Sequence, residues 1–236
     1  MNISTLVDFN HVSKEYSDQA TALRSISFSV HAGEFTALAG PSGSGKTTVL
    51  NLAAGLDLAS NGSVKLLGRE IGELSKNELS LIRRQFVGFI FQSYNLFPVL
   101  TGIENIEYPL ALLKVPKSER QERALGILKE VGLENFADRL PNQLSGGQQQ
   151  RVAIARAMVT RPQIVFADEP TANLDSKTAE GLLDLFKELN ENRGTTFLFS
   201  SHDPMVLARA RRTLQLCDGA ISNDSKRKKS TNSSLG

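Results

Sequence analysis

A single cysteine, no tryptophan and only 6% aromatic residues mark this chain of 236 residues. One thiol cannot form an internal disulfide, so the fold is not held by disulfides and the chain fits a reducing compartment. Cys217 ends the stretch Thr213–Cys217, which reads as a strand, so a packed thiol is expected there rather than a reactive one. No apolar run approaches the ~20 residues that a bilayer-crossing helix needs. The N-terminus lacks the basic-then-apolar pattern of a signal peptide. A cytoplasmic location is therefore expected. Net charge is also small, at +2 from 27 Lys and Arg against 25 Asp and Glu. That is too little to attract nucleic acid by bulk electrostatics, and no nucleic-acid partner is expected.

Basic residues gather only at the end, in Lys226-Arg227-Lys228-Lys229, followed by Ser230 to Ser234. Residues 223–236 read as a tail beyond a single domain spanning 1–222. Its composition suits a solvated, disordered segment, and contact with anionic lipid or RNA is the alternative.

What the chain does contain is Gly40-Pro41-Ser42-Gly43-Ser44-Gly45-Lys46-Thr47-Thr48. The apolar run Phe35–Ala39 before it reads as a buried strand, and Val49–Ala54 after it as a helix. That context makes the pattern G-x-x-x-x-G-K-[ST] a phosphate site. The glycines let successive backbone N–H groups converge on phosphate oxygens, and the helix aims its positive end at the same anion. Lys46 supplies charge for the β- and γ-phosphates, and Thr47 a hydroxyl for Mg²⁺. A nucleoside triphosphate is the expected ligand.

Short strands are expected at Val7–Val12 and Ile26–Val30, paired antiparallel beside the nucleotide, and at Ser63–Leu67. The pattern predicts a helix over Lys76–Gln85 with Leu79, Leu81 and Ile82 apolar. Val87–Phe91 is a continuous apolar run suited to a strand buried on both faces. From Ser93 to Val159 the pattern is helical, with capping-box spacing at Thr101–Glu104 and at Ser118–Gln121, and Gly132 as a helix stop. Strands return at Ile164–Ala167 and Thr195–Ser200 around a helix from about Ser176 to Asn192. Asp218-Gly219 suggests a closing hairpin. A helical insert thus interrupts an α/β core with parallel strands.

The strand Ile164–Ala167 ends in Asp168 and Glu169. Ligands of open α/β sheets sit at the carboxyl ends of strands. Asp168 there suits Mg²⁺, and Glu169 can polarise a water for attack on the γ-phosphate. Leu144-Ser145-Gly146-Gly147-Gln148 opens a helix with capping-box spacing, and its two glycines leave backbone amides uncovered. It is a second anion site at a helix N-terminus.

Leu144 to Gln148 matches the signature of the ABC (ATP-binding cassette) ATPases, and the resemblance runs from about Val7 to Ile221. It implies a P-loop NTPase (RecA-like) α/β core with an antiparallel β subdomain and an inserted helical signature subdomain at about 93–159. Gly40 to Thr48 resembles the family's Walker A loop, and Ile164 to Asp168 with Glu169 its Walker B strand and catalytic glutamate. Gln92 resembles the Q-loop glutamine that senses Mg²⁺, and Ala172-Asn173-Leu174-Asp175 the D-loop, with Ala172 where many relatives have glycine. His202 looks like the switch histidine at the γ-phosphate. Tyr16 matches the aromatic residue that stacks on adenine, a surface tyrosine being the alternative.

The resemblance further implies that two copies pair head to tail, each ATP lying between Lys46 of one and Ser145–Gly147 of the other. It implies a separate integral membrane permease, contacted near Ser93–Ile103, where large apolar residues follow Gln92. If exposed they form a partner site; otherwise they pack within the helical lobe. The chain would then lie on the cytoplasmic face of the inner membrane. Gly88 to Leu110 and Leu144 to Ala157 are most similar to the lipoprotein-release and macrolide-export branch. Amino-acid importers and the cell-division ATPase share most of these motifs. A soluble ABC protein acting on ribosomes or DNA would usually carry two cassettes or a large insertion.

Overall fold

The computed structural model describes residues 4–16 and 21–226. A four-stranded antiparallel sheet holds β1 (Thr5–Glu15), β2 (Thr21–His31), β4 (Asn61–Leu66) and β5 (Arg69–Glu70) in the order β2-β1-β4-β5. A six-stranded sheet holds β3 (Phe35–Ala39), β6 (Val87–Ile90), β7 (Ile164–Ala167), β8 (Thr196–Ser201), β9 (Arg212–Cys217) and β10 (Ala220–Lys226). Its order is β10-β9-β3-β8-β7-β6, parallel except for β10. Every residue of β3, β7 and β8 is buried. Helices cover both faces of such central strands, so their sequences run apolar without alternation.

The helices are α1 (Lys46–Ala53), α2 (Lys76–Phe86), α3 (Gly102–Leu112), α4 (Lys117–Glu130), α5 (Gly146–Met158), α6 (Ser176–Arg193) and α7 (Pro204–Arg209). Capping boxes start α2 at Ser75, α3 at Thr101 and α5 at Ser145. The box expected at Ser118 does not form. Pro116 is the N-cap of α4, which already begins at Lys117, so Ser118 lies inside the helix. On α2, Leu79 and Ile82 are buried while Leu81 faces solvent.

Three further expectations are corrected. The β6 strand is an edge strand, so Val87 and Phe89 are only half-buried, as is Phe91 just beyond it. Cys217 is exposed, because side chains alternate along β9 and this one falls on the outer face. Residues 223–226 belong to β10, not to a tail: Asp224 accepts two hydrogen bonds from Arg212, both 2.8 Å. Arg212 holds the Asp224 carboxyl below its usual range. The rest of the expected tail, and Ser17 and Asp18 of the β1–β2 connection, lie outside the described residues.

The helical insert shares its core with the sheet. Ile106, Leu110, Ala124, Leu128 and Val152 form one cluster with Ile90, Val165 and Phe197. Before α3, the chain from Phe97 to Thr101 is shaped by Asn105, which is fully buried. Its Nδ2 donates to the carbonyls of Phe97 (3.2 Å), Leu100 (2.9 Å) and Thr101 (3.0 Å), and its Oδ1 accepts from Phe97 N (2.8 Å). Asn105→Ala strands these partly buried backbone groups. It is expected to cost about 3 kcal/mol, lowering the melting midpoint by roughly 6–12 °C for a domain of this size. Thermal melts followed by circular dichroism check this, and a shift below ~2 °C contradicts it.

Candidate nucleotide site

The loop from Gly40 to Lys46 turns the end of β3 into the head of α1. Gly40 (φ 152°) and Gly45 (φ 103°) hold backbone conformations that suit glycine. Space also excludes a side chain at either position. A Cβ on Gly40 would lie 2.4 Å from Leu216 O, and one on Gly45 2.7 Å from Ala22 O. The β9–β10 turn supports the loop from outside, with Gly219 N donating to Ser44 O (3.3 Å).

Lys46 is only 7% exposed. Its Nζ donates to Gly40 O (2.8 Å) and Pro41 O (3.0 Å) and lies 3.6 Å from Glu169 Oε1. The ammonium is therefore held inside the loop's curve. Ser44 Oγ, also in the loop, is buried without a partner. A buried cation and an unpartnered hydroxyl in one glycine-rich loop suit a phosphate chain.

The carboxyl end of β7 brings the two acids to this loop. Thr47 Oγ1 donates to Asp168 Oδ2 (2.8 Å). Ser200, fully buried at the end of neighbouring β8, donates to Asp168 Oδ1 (2.6 Å) and accepts from Glu169 N (2.8 Å). Glu169 adopts φ 45°, a left-handed conformation unusual for this residue. His202 Nδ1 lies 3.1 Å from both of its carboxylate oxygens. Among the described residues no group of three or more His, Cys, Asp or Glu could hold a metal ion. A hydroxyl and a carboxylate side by side nonetheless fit Mg²⁺, which keeps several waters and takes phosphate oxygens as its other ligands.

Other expected site residues stand further out. Gln92 follows the end of β6, the strand beside β7. Its side chain is exposed, and its carbonyl accepts from Asn173 Nδ2 (3.0 Å). Tyr16 donates to Asp57 Oδ2 (3.2 Å) and carries Lys14 Nζ 4.9 Å from its ring centroid. Asp175 caps α6, accepting from Thr178 Oγ1 (2.6 Å) and Thr178 N (3.0 Å), bonds that lower its pKa. At the head of α5, Ser145 N donates to Gln148 Oε1 (2.9 Å) and Gln148 N to Ser145 Oγ (3.3 Å).

The two glycines of this second site do more than bare their amides. A Cβ on Gly146 would lie 2.9 Å from Tyr94 Oη, and one on Gly147 2.5 Å from Thr178 Cγ2. Tyr94 and Asn95 are both left-handed, at φ 62° and 49°. Arg156 holds both their carbonyls, Asn95 O at 2.5 Å and Tyr94 O at 2.8 Å, and burial pulls its pKa down to about 10. Sequence reasoning missed Ser200, Tyr94, Arg156 and Thr178 as parts of the site.

A glycine loop around a buried lysine, with two acids at a nearby strand end of a parallel sheet, defines a P-loop nucleotide-binding protein. The ABC transporter family matches residues 23–172, and this chain belongs to that family as its ATP-binding, ATP-hydrolysing subunit. The ABC transporter ATP-binding protein YtrE of Bacillus subtilis is 41% identical over 223 residues, 92% of this chain and 96% of YtrE. MJ0796 of Methanocaldococcus jannaschii is 43% identical over 228 residues, 94% of this chain and 97% of MJ0796. A dimeric post-hydrolysis structure of MJ0796 bound to ADP and Pi is similar with a TM-score of 0.88, covering 94% of this chain and 99% of that one. The macrolide export ATP-binding/permease protein MacB of Aggregatibacter actinomycetemcomitans is 42% identical over 228 residues, 97% of this chain. This chain spans only 35% of MacB's length.

The Ser200 hydroxyl fixes both acids at once. Ser200→Ala is expected to lower ATP turnover about tenfold or more while ATP affinity stays within about threefold. Steady-state hydrolysis beside fluorescent-nucleotide titration checks this, and unchanged turnover contradicts it.

Proposed function

We propose that this chain hydrolyses ATP at sites shared between two copies of itself and drives a separate membrane permease in efflux or envelope export. The carrying observation is the cluster of Lys46, Thr47, Asp168, Glu169 and His202 at the mouth of the glycine loop.

The loop amides from Gly40 to Thr48 and the Lys46 ammonium bind the β- and γ-phosphates. Thr47 and Asp168 would hold Mg²⁺, with Gln92 as a further ligand, and the ion would supply positive charge to stabilise the phosphates. Glu169 accepts a proton from the attacking water as the water closes on the γ-phosphate. His202 holds that carboxylate in place and faces the γ-phosphate. Tyr16 stacks on adenine. Ser145, Gly146, Gly147 and Gln148 of the partner subunit close over the γ-phosphate, with Asp175 at the interface between copies. A shared site of this kind is supported by the dimeric form of MJ0796.

Export is supported by MacB, a macrolide exporter by name, in which the portion similar to this chain accompanies a permease. Among the described residues no helix is long and apolar enough to cross a membrane. The pairing of a similar portion with a permease in MacB supports placing the chain on the cytoplasmic face of a permease. Docking there is supported by Phe97, which is 40% exposed and packs on Tyr108 with ring centroids 4.7 Å apart, and by Val99, 81% exposed. Tyr108 in turn lines a groove of about 530 Å³ whose apolar residues Leu100, Ile103 and Ala111 lie among charged ones such as Glu104, Glu107 and Arg120.

Glu169→Gln is expected to leave ATP affinity nearly intact, lower turnover at least ~100-fold and accumulate an ATP-bound dimer. Hydrolysis assays with size-exclusion chromatography test this, and wild-type turnover would defeat the reading. Replacing Phe97 and Val99 with Ser is expected to weaken co-purification with a membrane subunit from detergent-solubilised membranes, each lost anchor costing ~1–3 kcal/mol. The melting temperature should hold, because both side chains are exposed. A folded variant that still binds at full strength removes this stretch from the interface.

A further inference from the structure

Gln150 lies on α5 roughly one and a half turns beyond Ser145. Its side chain is fully buried. Nε2 donates to Pro170 O at 2.7 Å, whereas Oε1 has no partner. A buried amide with an unsatisfied oxygen is a costly way to fill space, and Leu or Met would fill it without that cost. The carbonyl acceptor also requires an N–H donor there.

Pro170 directly follows Glu169, the residue with the left-handed backbone. A proline has no N–H, so this residue's backbone can be hydrogen-bonded only through its carbonyl. The turn is thus gripped from two sides, by Ser200 of β8 at Glu169 N and by Gln150 of α5 at Pro170 O. Ala172 N closes the turn on Glu169 O at 3.2 Å. The helix that carries Ser145 at its head is therefore bonded, in the same chain, to the turn that aims Glu169.

We propose that Gln150 is a positioning residue that ties the Glu169 turn to α5. The tie carries movement of the helix serving one nucleotide to the carboxylate serving the other. The inference rests on the reading that Glu169 polarises the attacking water. A residue that merely fills the core acts on every function alike. One that acts through Glu169 loses its effect once that carboxylate is gone.

The test compares Gln150→Met in the wild-type and Glu169→Gln backgrounds, with single-turnover ATP hydrolysis and ATP affinity measured for all four proteins. In the wild-type background Gln150→Met is expected to slow hydrolysis about tenfold with ATP affinity within about twofold. In the Glu169→Gln background it should add no further loss. Equal fold-losses in both backgrounds, an unchanged rate, or an affinity that falls as far as the rate would each overturn the proposal. Wild-type turnover in Glu169→Gln itself would instead overturn the underlying reading, and this inference with it. If Gln150→Met does not fold, Gln150→Asn makes the same comparison, since its amide is one methylene short of Pro170.

Discussion

A buried ammonium must be surrounded by oxygen, and most of this structure's local geometry serves that need. Taking the charge of Lys46 out of water carries a large desolvation cost unless polar groups replace the lost hydration. Two of those groups are carbonyls of its own loop, Gly40 O and Pro41 O. The chain must curl back on itself to aim them inward, which is why Gly40 and Gly45 hold φ of 152° and 103°. The curl needs walls, and the backbones of Leu216 and Ala22 stand where Cβ atoms would be. The β9–β10 hairpin and the end of the antiparallel sheet thus belong to the phosphate site although neither carries a motif. The remaining side of the ammonium faces Glu169, so the buried cation also draws in one of the two acids that follow β7.

Side chains also tie together the segments around the site. Asn173 holds Gln92 O, Arg156 holds the carbonyls of Tyr94 and Asn95, and Thr178 stands between Asp175 and Gly147. The Asn173 and Arg156 bonds each connect two segments that sequence motifs treat as separate. The two glycines after Ser145 are tightly packed because Tyr94 and Thr178 fill the space their Cβ atoms would need. Close packing transmits displacement, so a shift at the head of α5 presses on Tyr94 and Thr178.

What could be read from the sequence was local. The glycine loop, the acids after an apolar strand and the serine-to-glutamine box at Ser145 depend on spacing within a few residues. The structure forms each of them. The fully buried strands β3, β7 and β8 were legible because burial on two faces erases alternation. What escaped depends on partners distant in sequence. Ser200 ends an apolar strand, and nothing local says that its hydroxyl reaches two acids of another strand. Cys217 was misplaced because an apolar neighbourhood does not fix which face a strand residue occupies. The edge position of β6 follows from strand order alone, which pairing across the insert decides. At α4, the helix starts two residues ahead of the Ser118 pattern, and Pro116 takes the cap.

The insert's place in the chain explains why motion there can matter at the acids. It leaves the sheet after β6 and returns through α5 to β7, and these strands are parallel neighbours with Ile90 paired to Ala167. Asp168 N continues the ladder to Ile90 O at 2.9 Å. Neighbouring strands run only about 4.8 Å apart, so the exit at Gln92 lies beside the acids that follow Ala167. An insertion between distant strands would have anchored the lobe's two ends on different parts of the sheet. Here one end is the strand beside the acids, and the other is the helix bonded to their turn through Gln150 and Pro170. Both ends of the insert are therefore fixed beside the acids that follow β7.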